Sequence, residues 1–110
     1  MLQTSTKKRQ VLTMNYLYSE KERNQVITNF MKNGRVIHIP FKEKKKYILL
    51  HDFIKGLDEG RIYTEQEINA ELLKRYSVSD YVEQRRYLIT FRLMSRTADG
   101  KQYWLNPADH

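Results

Sequence analysis

Thr64-Glu65-Gln66-Glu67-Ile68-Asn69-Ala70-Glu71-Leu72-Leu73-Lys74-Arg75-Tyr76, then Ser77-Val78-Ser79, then Asp80-Tyr81-Val82-Glu83-Gln84-Arg85-Arg86-Tyr87-Leu88, is the stretch that decides the fold. Thr64 carries a hydroxyl that can accept from the opening turn of a helix, and Glu67 three residues on completes a capping box. Ile68, Leu72, Leu73 and Tyr76 then recur at helical spacing. Ser77-Val78-Ser79 interrupts the pattern, and Asp80 with Glu83 repeats the capping signal. Tyr81, Gln84, Leu88 and Phe91 form the inward stripe of a second helix. Met94 to Thr97 and Gln102 to Leu105 flank Asp99-Gly100, a pair suited to the positive φ angles of a two-residue hairpin turn. Helix, short turn, helix, hairpin is the order of a winged helix-turn-helix, whose second helix can enter the DNA major groove.

Working outward, a short strand at Arg61-Ile62-Tyr63 precedes this unit, and the hairpin is expected to pack beside it at Ile62. Before that, a helix runs from about Lys42 to Leu57, with Ile48, Leu50, His51, Ile54 and Leu57 spaced for burial alongside Tyr47 and Phe53. Ser19 with Glu22 starts an earlier helix that carries Val26, Ile27, Phe30 and Met31 on one face. Asn33-Gly34 is its expected C-terminal stop. Arg35 to Ile39 is extended, and Pro40 closes it. Residues 1–18 read as an arm or tail. The expected class is therefore α+β, mainly helical. A single domain spans residues 19–110, made of an N-terminal helix at 19–34 and a winged-helix unit at 42–105.

The 110 residues carry a formal charge of +7, 40% hydrophobic residues, 30% charged residues and no cysteine. Absence of cysteine excludes disulfides, thiolate catalysis and cysteine metal sites together. No apolar run approaches the length of a membrane span, so no membrane partner is expected. Met1 to Arg9 lacks the apolar stretch of a secretion signal, which fits a cytoplasmic protein. The charge is uneven: +3 over residues 1–18, +5 over 19–57, −2 over 58–78 and +1 over 79–110. Such a basic face suits a polyanion. Plain solubility is the alternative reading of the same charge.

From Asn33 the chain resembles the bacterial family catalogued as domain of unknown function 2087. The matching residues are Asn33-Gly34-Arg35, Ile39-Pro40, the lysines from Lys42 to Lys46, and Tyr63 to Asn69. They continue through Asp80, Arg85-Arg86-Tyr87-Leu88, Met94, Arg96, Gly100 and Tyr103. The resemblance implies a helix-turn-helix-like domain, and relatives are often labelled as transcriptional regulators of the metal-sensor type. Gln84 stands where that family usually has leucine.

Several residue groups could carry function. Lys42, Lys44, Lys45 and Lys46 crowd the start of a helix, where the backbone already presents partial positive charge. That arrangement suggests phosphate contact, or a solvated face on which the repulsion is screened. On the second helix of the motif Ser79, Glu83, Arg86, Tyr87 and Thr90 face away from the apolar stripe and are the candidate groove readers. Arginine can bond guanine edges, and a carboxylate can accept from cytosine. Arg85, beside the stripe, is expected to pair with Asp80 or with an acid on the preceding helix. Arg96 and Lys101 flank the hairpin tip, where a wing meets backbone. Of Tyr103 and Trp104, Tyr103 is expected inside.

His38, His51 and His110 share no metal-ligand spacing, and His51 reads as a packed core histidine. No phosphate loop or nucleophile motif is present, so no catalytic residue, cofactor or metal is expected. The expected partners are double-stranded DNA and a second copy of the chain, with dimerisation through residues 1–34. The alternative is a winged helix that binds protein instead.

Overall fold

The structure, a computed structural model, describes residues 16–107. Among the described residues four helices and two small antiparallel sheets give the expected α+β class. Helix α1 (Glu20–Phe30) leads into the short strands β1 (Met31–Lys32) and β2 (Arg35–Val36). Helix α2 (Glu43–Ile54) follows, then β3 (Tyr63–Thr64), α3 (Glu65–Arg75), α4 (Tyr81–Thr90), β4 (Met94–Arg96) and β5 (Gln102–Leu105). Strands β3, β5 and β4 form one sheet in that order. Tyr63 lies opposite Tyr103, and Arg96 opposite Tyr103 on its other side.

Helix α1 begins as its sequence dictates, with Ser19 Oγ accepting from the Glu22 amide at 3.1 Å. It ends at Phe30, before the expected stop. Asn33 and Gly34 both take positive φ, 54° and 79°, and turn the chain between β1 and β2. The Asn-Gly pair is thus a hairpin turn rather than a helix stop, because both residues tolerate the left-handed conformation that a tight hairpin needs. Arg35, just past the turn, donates from Nη2 to the carbonyls of Leu73 (2.6 Å) and Tyr76 (3.0 Å) and so caps the end of α3.

Helix α2 is the centre of the core. Tyr47, Ile48, Leu49 and Leu50 are consecutive and all buried, so this turn of the helix is covered on every side. Within the expected stretch from Lys42 to Leu57, residues Lys55 to Leu57 form a turn beyond the helix proper. Ile68, Leu72 and Tyr76 of the α3 region and Leu88 and Phe91 of the α4 region join the core, and Leu73 remains 45% exposed. In the sheet Tyr63 is the inward residue and Ile62 is exposed, one position from the expected contact. Successive strand residues face opposite sides, and β3 pairs in the register that turns Tyr63 inward. Tyr103 is buried and Trp104 half-buried, as expected.

The lone buried polar side chain among the described residues is Gln84. Its Nε2 donates to Asp80 Oδ2 at 2.9 Å. Asp80 consequently makes no side-chain cap bond, and Glu83 turns to Arg86 at 3.9 Å. The expected second capping box therefore does not form, because a buried amide left without an acceptor would be costlier than an uncapped amide at the surface. Helix α4 closes with Arg92 in the left-handed region at φ 61°. Leu93 N bonds Leu88 O and Arg92 N bonds Ile89 O, both at 3.0 Å, the Schellman pattern that usually recruits glycine.

Candidate functional site

The outward ridge of α4 and the hairpin beside it hold most of the residues singled out from the sequence. Ser79, Glu83, Arg86 and Thr90 are exposed. The Arg86 side chain is 75% exposed, and its acid partner Glu83 is half-exposed and distant. Such a pair contributes little and leaves the guanidinium available. Tyr87 is half-buried instead. It stacks on Phe91 at 5.2 Å between ring centroids, and its hydroxyl accepts from Lys46 Nζ at 3.2 Å.

The lysine cluster is dispersed by the fold. Lys44 pairs with Glu22 of α1 at 2.8 Å and holds that carboxyl below its ordinary range. Lys45 lies over the Phe30 ring and Lys46 over the Tyr87 ring. Each of these three contacts joins α2 to another helix. Lys42, at the N-cap of α2, is exposed and makes no cap bond.

The hairpin connection differs from a two-residue turn. Gly100 takes positive φ (74°), and its amide donates to the Thr97 carbonyl at 2.9 Å. Asp99 Oδ1 accepts from the Thr97 hydroxyl and from the Lys101 amide, at 2.6 and 3.0 Å. Those bonds, with Arg96 nearby, keep the Asp99 carboxyl below its usual range. Asp99 thus serves as the side-chain acceptor of a longer loop, which Gly100 alone closes in the left-handed region. Arg96 and Lys101 are exposed at its ends. Arg96 donates to the Thr97 carbonyl at 3.2 Å.

Between α4 and the hairpin lies a cleft of about 460 Å³. Arg85, Arg86 and Arg96 line it together with Glu65 and Asp99. Arg85 bonds Asn69 Oδ1 and approaches Glu65 at 3.7 Å. Its partners are thus on the preceding helix, one of the two placements expected for it.

Two features were invisible in the sequence. Asp52 of α2 bonds both Arg23 of α1 (2.5 Å) and Arg75 of α3 (3.0 Å). Burial alone would raise the Asp52 carboxyl, yet the two guanidinia outweigh it and hold the group below its ordinary range. The second is an aromatic chain at the edge of the core. Tyr16 and Tyr18, assigned from sequence to the arm, pack on Tyr47, which in turn meets His51 and Phe91. Tyr18 shares a hydrogen bond with His51 Nδ1, and burial lowers the His51 pKa. His51 is therefore half-buried at the rim rather than inside the core. Residues 1–15 of the expected arm, and His110, lie outside the described residues.

Among the described residues no group of three or more His, Asp or Glu is placed to hold a metal ion. None of the described helices is long and apolar enough to cross a membrane. No curated protein and no solved structure matches the chain. Residues 35–105, from β2 through β5, match the family described as "Uncharacterized protein conserved in bacteria (DUF2087)". The chain belongs to that family of uncharacterized bacterial proteins.

Proposed function

We propose that the chain is a winged helix-turn-helix protein that binds double-stranded DNA, a small cytoplasmic transcriptional regulator rather than an enzyme. The succession α2, β3, α3, α4 and hairpin, with strand order β3-β5-β4, supports this reading. The observation that carries it is the exposed ridge of Glu83, Arg86 and Thr90 on α4 with Ser79 just before it, Arg86 being held only loosely. In this reading α4 enters the major groove and Arg86 bonds a guanine edge, with Glu83 accepting from cytosine. Lys42, Arg96 and Lys101 touch the backbone. Lys44, Lys45 and Lys46 are already engaged and add long-range field rather than contacts. A homodimer formed through residues 1–34 would present two such ridges, and Leu17, 92% exposed, offers apolar surface for it.

Selection of bound fragments from a random duplex library tests binding and specificity together. With three to four phosphates contacted, log affinity falls against log salt with a slope of about −3. Absence of binding to any duplex at low salt rejects the reading. The half-exposed Leu73 and Val82 on α3 and α4 favour a second reading, a protein-binding winged helix. Arg86→Glu separates the two, since it abolishes sequence preference only if α4 reads bases.

A further inference from the structure

The cleft between α4 and the hairpin contains two anions of the protein's own: Asp99, committed to the Thr97 hydroxyl and the Lys101 amide, and Glu65, placed among cations that it does not fully satisfy. Glu65, the first residue of α3, directs Oε2 towards Arg85 Nη2 at 3.7 Å, too long for a hydrogen bond. Its other oxygen faces the hairpin. A Cβ built on Gly100 would stand 3.7 Å from Glu65 Oε1 and 3.3 Å from Arg96 Nη1, so the carboxylate and the second guanidinium converge on one spot. Gly100 has no side chain there, and Arg96 therefore extends into the cleft.

Among the described residues Arg96 has no carboxylate within ion-pair distance. Its partner is the Thr97 carbonyl. The Arg85 side chain is only 16% exposed and is held in place by Asn69. The Glu65 side chain is 45% exposed and can swing to solvent. Two pre-placed guanidinia, one on a helix and one on a hairpin, suit a tetrahedral oxyanion offering several acceptors better than a single flat carboxylate at long range.

We propose that this cleft is a phosphate-group site formed by Arg85 and Arg96, in which Glu65 is a stand-in anion that an incoming phosphate displaces. The phosphate can come from the backbone of a duplex, in which case the site rests on the DNA reading above, or from a small phosphorylated molecule. Glu65 then sets the threshold of occupancy. It weakens binding of any ligand that must displace it, so removing its charge strengthens that binding.

The test uses the full chain with inorganic phosphate and with a labelled random-sequence duplex. Phosphate should shift the Arg85 and Arg96 Nε–H resonances saturably, while chloride at matched ionic strength does not. Glu65→Gln should tighten phosphate binding about two- to fivefold, the size expected for loss of a half-exposed competing charge. Arg96→Gln, on the exposed hairpin, should abolish the shift at Arg85 while the remaining spectrum shows a folded chain.

If the duplex competes with phosphate for these resonances, the phosphate is a backbone one. If no duplex binds but phosphate does, the cleft stands as a small-molecule site and the DNA reading falls. If a duplex binds while neither phosphate nor Glu65→Gln affects Arg85 and Arg96, the cleft proposal is overturned and the DNA reading survives. Shifts confined to Lys42 and its neighbours overturn it as well.

Discussion

Helices α3 and α4 are nearly equal in length, adjacent in the chain and packed on each other, yet they are secured in opposite ways. The N-terminus of α3 is held by its own residues. Thr64 Oγ1 accepts from the Glu67 amide at 3.1 Å and Glu67 Oε1 accepts from the Thr64 amide at 2.9 Å. Acids fill its first turn and Lys74 and Arg75 its last, each placed to complement the helix dipole. Helix α4 has no side-chain cap. Its Asp80 is committed to the Gln84 amide. Its far end turns on a left-handed Arg92, whose carbonyl accepts from Asn106 Nδ2 at 2.8 Å. A helix stabilised by neighbours in sequence can be read from spacing. One stabilised by distant residues cannot, and its direction is set by them.

Breaking the tie inside α4 has the largest expected effect. Asp80→Ala leaves a buried amide donor unpaired and should destabilise the fold by about 2 kcal/mol. In a Gln84→Leu background the same substitution should cost less than about 0.5 kcal/mol, because no donor remains to be orphaned. Urea unfolding of the four-member cycle measures the difference. Equal costs in both backgrounds would show that Asp80 acts as an ordinary cap.

The distal end of α3 is next, since Arg75 anchors it to Asp52. Asp52→Asn should lose about 1.5 kcal/mol near pH 7. The folded Asp52 carboxyl titrates below its ordinary range, so its contribution is complete above about pH 4 and is lost as acid protonates it. Wild type and variant should therefore converge in stability on acidification, read by unfolding at a series of pH values. A constant gap down to strong acid contradicts the triad.

At the start of α3, Thr64→Ala should cost about 1 kcal/mol, with thermal melting as the readout. The smallest change runs the other way. Arg92→Gly relieves a side chain from positive φ and should stabilise by about 0.7 kcal/mol. A loss there would mean that Arg92 makes contacts outweighing its backbone strain.

Much of the fold was legible because its signals are local. The Ser19 and Thr64 caps, the Ile68–Leu72 and Leu88–Phe91 spacings and the inward Tyr103 each depend on residues a few positions apart. The Asp99-Gly100 turn was placed correctly but not its type, and Asn33-Gly34, expected as a helix stop, turns a hairpin instead. A left-handed pair suits a helix stop and a hairpin alike, and the number of loop residues between β4 and β5 depends on where strand pairing ends. The candidate ridge followed from periodicity, and Tyr87 left it for the aromatic cluster. The lysine cluster was the least legible. Four basic residues in five positions look like one patch, yet successive residues on a helix point about 100° apart. Lys44 and Lys45 accordingly reach Glu22 and Phe30 on α1, and Lys46 reaches Tyr87 on α4.

By itself the chain's order of residues determined the four helices and the strands other than β1, where two of the helices begin, and that a basic, cysteine-free α+β domain results. Hydrogen-bond reach and the 3.6-residue repeat act over a few positions, and those positions are adjacent in the chain. Only the tertiary structure decided which cations remain free and which are consumed. Asp52 gathers Arg23 and Arg75, and Glu65 approaches Arg85 in a cleft that Arg96 also lines. Charges far apart in sequence interact through the distances that packing sets, and no local pattern encodes those distances.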